Sequence, residues 1–175
     1  MRLAFYMCPT DFILLTRPTT MKNKTIAISG GLDPIHVGHI NMIQAASQLG
    51  DVIVILNSDE WLKRKKGYVF MPYDERKCLL NQLKGVTAVS AVDDADGTVC
   101  EALRRLEPDM FGNGGDRTVI NTPEAAACQE LDIKMVWNLG GHKIQSSSGL
   151  INTLFANKPA RSEMAEFQRI LEGLP

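Results

Sequence analysis

Thr25-Ile26-Ala27-Ile28-Ser29-Gly30-Gly31-Leu32-Asp33-Pro34-Ile35-His36-Val37-Gly38-His39 is the stretch that decides how this chain folds. Residues 25–29 form a short apolar run bounded by turn residues, the pattern of a strand covered on both faces. Gly30 to Pro34 then reads as a turn. His36 and His39, three residues apart, fall on one face of the first turn of a helix. Orphan backbone N–H groups and the positive end of the helix dipole gather at such a place. It suits a polyphosphate, with both imidazoles donating hydrogen bonds to oxygens on the phosphorus under attack. Gly30 and Gly31 keep side chains away, so a ligand can come close to the backbone.

Outward from this stretch the pattern repeats. Strand-like runs occur at 25–29, 51–56, 86–92, 108–111 and 133–138, with helical patterns between them at 38–49, 73–84, 97–106 and 122–131. This alternation predicts an α/β fold, a doubly wound, mainly parallel five-stranded sheet with helices on both faces. Ligands of such sheets bind beyond the carboxyl ends of the strands. Four strand ends here carry groups suited to a phosphate or a nucleotide. They are the histidine motif, Asn57-Ser58-Asp59 with the basic run Lys63 to Lys66, Gly112 to Arg117, and Gly140 to Ser148.

At 175 residues the chain is expected to hold one principal domain, 21–157. Residues 1–20 are expected to be an extension outside the core fold, with disorder among its expected states. Residues 158–175 read as an amphipathic helix packed on the domain. A net charge of −1, with 45% hydrophobic and 22% charged residues, gives no general attraction to nucleic acid or an anionic membrane. No apolar run approaches the roughly 20 residues of a membrane span. Four cysteines without a CxxC pair argue against a disulfide framework and for a cytoplasmic protein.

Each candidate has a plainer reading. Two histidines could be half of a metal site, but the third, His142, brings no HExxH-like pattern, and no metal ligands are assigned. The run Lys63-Arg64-Lys65-Lys66-Gly67 could be a solvated loop; beside a glycine it could also be a lid that carries a lysine onto phosphates. Asp74 and Glu75 suit the first turn of a helix, and Arg76 could either brace the fold or reach a phosphate. Gly114-Gly115-Asp116 could be a tight turn or a contact to base and ribose. Ser146-Ser147-Ser148 could cap a helix, cradle an anion, or do both. No G-x-x-x-x-G-K-[ST] or G-x-G-x-x-G occurs at a strand end, which argues against P-loop and dinucleotide-binding enzymes.

These residues, in this order, resemble the G-x-F-D-x-x-H-x-G-H signature and the downstream blocks of the cytidylyltransferase-like nucleotidyltransferases. The resemblance covers about residues 24–155 and is nearest to glycerol-phosphate cytidylyltransferases and heptose-phosphate adenylyltransferase domains. It implies transfer of a nucleotidyl group, CTP favoured, onto a small phosphomonoester such as a polyol or sugar phosphate, with release of pyrophosphate. ATP-dependent adenylyl transfer of the heptose-phosphate or pantetheine-phosphate type is the alternative, and a nucleotide-binding module without turnover is the second. By resemblance His36, His39 and Lys66 are catalytic, with Lys63 a neighbour. Gly30, Gly31, Asp33, Gly38, Arg76, Gly114, Gly115, Asp116, Lys143, Ser146, Ser147 and Ser148 bind nucleotide or acceptor. Magnesium would accompany the triphosphate, and a homodimer is implied. Two departures stand out: Leu32 replaces the usual phenylalanine, and Gly141-His142-Lys143 replaces the arginine that precedes the serine triplet, with Lys143 as its substitute.

Overall fold

A computed structural model describes residues 23–115, 117–118, 122–142 and 144–156. The N-terminal extension, the C-terminal helix, Asp116 and Lys143 lie outside the described residues. The elements run β1 (Thr25–Gly30), α1 (Val37–Ser47), β2 (Asp51–Leu56), α2 (Asp59–Lys66), α3 (Tyr73–Gln82), β3 (Val86–Ala91), α4 (Cys100–Leu106), β4 (Met110–Gly114), α5 (Ala125–Glu130), β5 (Lys134–Leu139) and α6 (Ser147–Ala156). The sheet has five parallel strands in the order β3-β2-β1-β4-β5. The expected fold class is therefore the observed one.

Period-two alternation assigns the strand side chains to two cores. Ile26 and Ile28 of β1 join Val52, Val54, Ile43 and Leu80 on one face, with α1 and α3. Ala27 joins Ile55, Phe111, Leu103 and Cys128 on the other, with α4 and α5. Because both faces are covered, the strands carry nearly continuous apolar sequence. From β1 the chain first builds outward through β2 to β3, then crosses back to lay β4 against β1. That reversal opens a crevice beyond the carboxyl ends of β1 and β4, where such sheets bind ligands.

Two expectations are corrected here. The basic run is not a loop but the last turn of α2. Ser58 caps that helix by accepting from the Trp61 N–H at 2.9 Å, Asp59 and Glu60 lie in its first turn, and Gly67 ends it in the left-handed region at φ 82°. Charges of these signs at these ends complement the helix dipole, so four successive basic residues are compatible with a helix. The fourth strand also runs further than 108–111. Gly112, Asn113 and Gly114 belong to it, with a register shift against β5 between Gly112 and Gly114.

Arg76 is fully buried in α3 and does not face a ligand site. Its Nε donates to Met71 O (2.9 Å), Nη1 to Gly31 O (2.7 Å) and Asn57 O (3.0 Å), and Nη2 to the Asp59 carboxylate (2.5 Å). The guanidinium thus pins the ends of β1 and β2 to the start of α2 and α3. Removing it would take the donor from three carbonyls and leave the Asp59 carboxylate with the Tyr73 N–H at 3.2 Å. Arg76→Met is expected to cost about 3 kcal/mol or more of folding stability, read as a lowered urea midpoint at unchanged slope. A variant as stable as the wild type would contradict this role.

Candidate active site

At the N-terminus of α1 the two histidines cap the helix with their own rings. His36 is the N-cap, and its Nδ1 accepts from the Gly38 N–H at 3.1 Å. The His39 Nδ1 accepts from the His36 N–H at 3.3 Å. The rings stack with centroids 3.8 Å apart and planes inclined by 21°. With both Nδ1 atoms accepting, each neutral ring carries its proton on Nε2, which makes Nε2–H the donor. The glycine between them eases this packing, since a Cβ at Gly38 would lie 3.0 Å from the His36 ring and push it slightly aside. Burial, then the His36 and Lys66 charges, hold the His39 pKa down at about 3. His39 is therefore a neutral hydrogen-bond donor at physiological pH.

Lys66 reaches the same place from the end of α2. Its ammonium donates to the Asp33 main-chain carbonyl at 2.9 Å. Burial lowers its pKa, the Asp33 carboxylate opposes that shift, and Arg76 adds to it. The Asp33 side chain is itself fully buried and accepts from the N–H groups of Phe70 (2.8 Å) and Met71 (2.7 Å). Asp33 was expected on the nucleotide or acceptor side; instead its carboxylate ties down the segment between α2 and α3, and acts on the site only as a charge beside Lys66.

The third contribution is the start of α6. Ser146 Oγ accepts from the Gly149 N–H at 3.0 Å and caps the helix, while Ser147 Oγ donates to Pro34 O at 3.0 Å and ties α6 to the turn after β1. The first N–H groups of the helix have no intrahelical acceptor and suit an anion. The loop leading to α6 packs directly on α1. Gly140 has φ 78°, and a Cβ there would meet Met42 N at 2.7 Å, so only glycine fits.

These parts enclose one cavity of about 340 Å³ at the crevice between β1 and β4. Of the expected residues, His36, His39, Lys66, Gly31, Gly38, Gly114, Gly115, Ser146, Ser147 and Ser148 line it together. Gly30 lines instead a smaller neighbouring cavity of about 200 Å³. Asp33 and Arg76 line neither. Trp61, Arg117 and Glu124 line both cavities; Arg117 closes the strand-end group that starts at Gly112, whereas the sequence pattern does not single out Trp61 or Glu124. Asp94 also escapes the sequence reading; buried, it accepts from Ser58 N (2.8 Å) and Ser58 Oγ (2.7 Å) and orients the start of α2. Among the described residues no group of three or more His, Cys, Asp or Glu could hold a metal ion.

A family model described as cytidylyltransferase-like matches residues 27–147, the span that holds every element of this cavity up to the first residue of α6. The chain belongs to the cytidylyltransferase-like family. Curated relatives include the bifunctional protein HldE of Streptomyces coelicolor, 36% identical over 108 residues that make up 60% of this chain and 23% of that protein. The HldE of Campylobacter concisus is 34% identical over 54% of this chain and 20% of its own length. The chain thus matches less than a quarter of the length of these relatives. A crystal structure of the lipopolysaccharide core biosynthesis protein from Thermoplasma volcanium superposes with a TM-score of 0.57 at 20% identity, covering 69% of this chain and 99% of that one. A putative nicotinate-nucleotide adenylyltransferase from Vibrio parahaemolyticus gives 0.51 at 19% identity, covering 79% and 91%. Both share the fold. As a member of this family the chain is a nucleotidyltransferase. No helix among the described residues is long and apolar enough to cross a membrane.

The lowered His39 pKa has a defined sign. The folded value of about 3 lies below the ordinary 6.5, so the unfolded chain takes up a proton first. The stability associated with neutral His39 is complete above pH 6.5 and is lost as pH falls from there towards 3. An imidazole resonance of His39 that stays in the neutral range from pH 8 to 5 is expected in a two-dimensional NMR titration. Protonation near pH 6.5 would contradict the buried neutral ring.

Proposed function

We propose that this chain transfers a nucleotidyl group from ATP to a small sugar or polyol phosphate and releases pyrophosphate. The observation that carries it is the convergence of the His36–His39 pair, Lys66 and the start of α6 on one cavity at the sheet crossover. In this reading the phosphate oxygen of the acceptor attacks the α-phosphorus in line, a new P–O bond forms, and the bond to the β-phosphate bridge breaks. The two Nε2–H groups would donate to α-phosphate oxygens and Lys66 would neutralise charge that builds there. Ser146, Ser147 and Ser148, with the helix amides, would hold the β- and γ-phosphates, and Gly31 and Gly38 would let the chain of phosphates lie against the backbone. Gly114 and Gly115 would meet the base or ribose, and Asp116 and Lys143 keep the binding roles that the family resemblance implies.

No general base is needed. A phosphomonoester has a second pKa of about 6 and is mostly ionised at neutral pH. A neutral His39 fits that scheme, because it donates without competing for the proton. Magnesium would arrive on the triphosphate oxygens with its waters, as the ion prefers when no protein cage is built for it. A homodimer is part of the proposal and can be read from the mass in solution.

The donor moves from CTP, favoured on the sequence, to ATP. Support comes from the repeated match to HldE proteins, taken with the resemblance of Asn57-Ser58-Asp59 and Gly114-Gly115 to heptose-phosphate adenylyltransferase domains. Pyrophosphate release should appear with ATP and magnesium on addition of heptose 1-phosphate or glycerol 3-phosphate, and be weaker with CTP. His39→Ala or Lys66→Ala should lower kcat about 10²–10³-fold. Near-normal turnover in both variants would overturn the assignment. Nucleotide binding with no release from any acceptor would favour a binding module.

A further inference from the structure

The two cavities differ in chemistry in a way that sorts the parts of a substrate. Around the larger one, His36, His39, Lys66 and the starts of α1 and α6 present donors and positive potential, and it shares Arg117 and Glu124 with the smaller one along their common border. The smaller one has a mixed lining: Lys65 and Arg117 supply positive charge, Glu124 negative charge, and Ser29 and Asn57 uncharged polar groups. A phosphate dianion there would meet a carboxylate, and an ammonium would meet two cations. A hydroxyl, which both donates and accepts, suits every member of the set.

Glu124 stands where the cavities join, and it is only 7% exposed. Its Oε1 accepts from the Val99 N–H at 3.2 Å, the single hydrogen bond this carboxylate makes among the described residues. A carboxylate so buried, with four lone-pair sites, calls for further donors from whatever fills the space. Trp61, beside it, is a fixed wall. Its Nε1–H donates to Gly97 O at 3.3 Å, and Lys65 Nζ lies 6.0 Å from the ring centroid. An aromatic wall next to a carboxylate offers apolar contact to C–H groups and an acceptor to neighbouring hydroxyls.

We infer that the smaller cavity takes the polyhydroxylated body of the acceptor, with Glu124 accepting from its hydroxyls and Trp61 packing on its C–H surface. This rests on the transfer reading above and deepens it, since the acceptor phosphate is then left in the larger cavity near the histidines. Glu124 and Trp61 become the residues that select sugar or polyol phosphates over simple alkyl phosphates and over phosphoethanolamine.

Calorimetric titration of the full chain with heptose 1-phosphate, glycerol 3-phosphate, propyl phosphate and phosphoethanolamine tests this, with pyrophosphate release followed in parallel. The wild type should bind at least one hydroxylated phosphate about tenfold or more tighter than propyl phosphate, the scale of one hydrogen bond to a charged group. Glu124→Gln, which still accepts from Val99, should lose most of that preference, and because Glu124 also borders the larger cavity the hydroxylated phosphates are compared with propyl phosphate in the same variant. Trp61→Leu should weaken the hydroxylated ligands by a similar factor, and serves as the second variant. Equal binding of propyl phosphate by the wild type, or an undiminished preference in both variants, would overturn the inference. Release of pyrophosphate without discrimination for hydroxyls would keep the transfer reading and sink this one. Discrimination in binding without release from either nucleotide would do the reverse.

Discussion

The geometry of the site depends on one buried cation. Arg76 reaches the carbonyls of Gly31, Asn57 and Met71 and the carboxylate of Asp59 from a position with no solvent contact. Those four acceptors belong to the ends of two neighbouring strands, the start of α2 and the segment before α3. Their spacing fixes where α2 ends, and its last residue is Lys66. Asp33 completes the brace by binding the amides of Phe70 and Met71 while its own carbonyl holds the Lys66 ammonium. A lysine placed this way is preorganised, and little of its side-chain freedom remains to be lost when a ligand arrives.

The histidines show the same economy. Helix α1 needs acceptors for its first N–H groups, and the side chains that supply them also present Nε2 to the cavity. Capping uses one nitrogen of each ring, and the proposed chemistry would use the other. The capping fixes ring orientation and tautomer, a task given to separate carboxylates or carbonyls in many histidine sites.

The strands and the groups at Gly31 to His39, Gly114-Gly115 and Ser146 to Ser148 were legible because a sheet covered on both faces writes itself as apolar runs, and chemistry follows at the strand ends. Helix α2 was not, because it is short, eight residues, and so polar that its basic end reads as a solvated loop. Leu62 is its one buried residue, and the helix is specified by the Ser58 cap, the acidic start and the basic end. For Arg76 the residues alone left bracing and phosphate contact open, because an arginine at a helix start has both uses, and the family resemblance placed it with the nucleotide-binding residues. Its partners Gly31 and Asn57 lie 45 and 19 residues away, and no local pattern reports that it is surrounded by carbonyls. Glu124 and Trp61 were invisible for the same reason: each acquires meaning only when α2 and the segment before α5 meet across the cavity mouth.

The crossover between β1 and β4 also orders the assembly of the molecule. Thr25 and Asp109, bonded through both the main-chain N–H and the hydroxyl of Thr25, are separated by 84 residues, whereas β1, β2 and β3 pair with nearer neighbours along the chain. Closing so long a loop costs entropy that the shorter pairings do not incur. A chain emerging N-terminus first can lay β1, β2 and β3 together with α1 and Lys66 already near the histidines. The wall formed by β4, Glu124 and α6 is then still missing. The capacity to hold a nucleotide is therefore a property of the finished topology, absent from any species that has built only its first half.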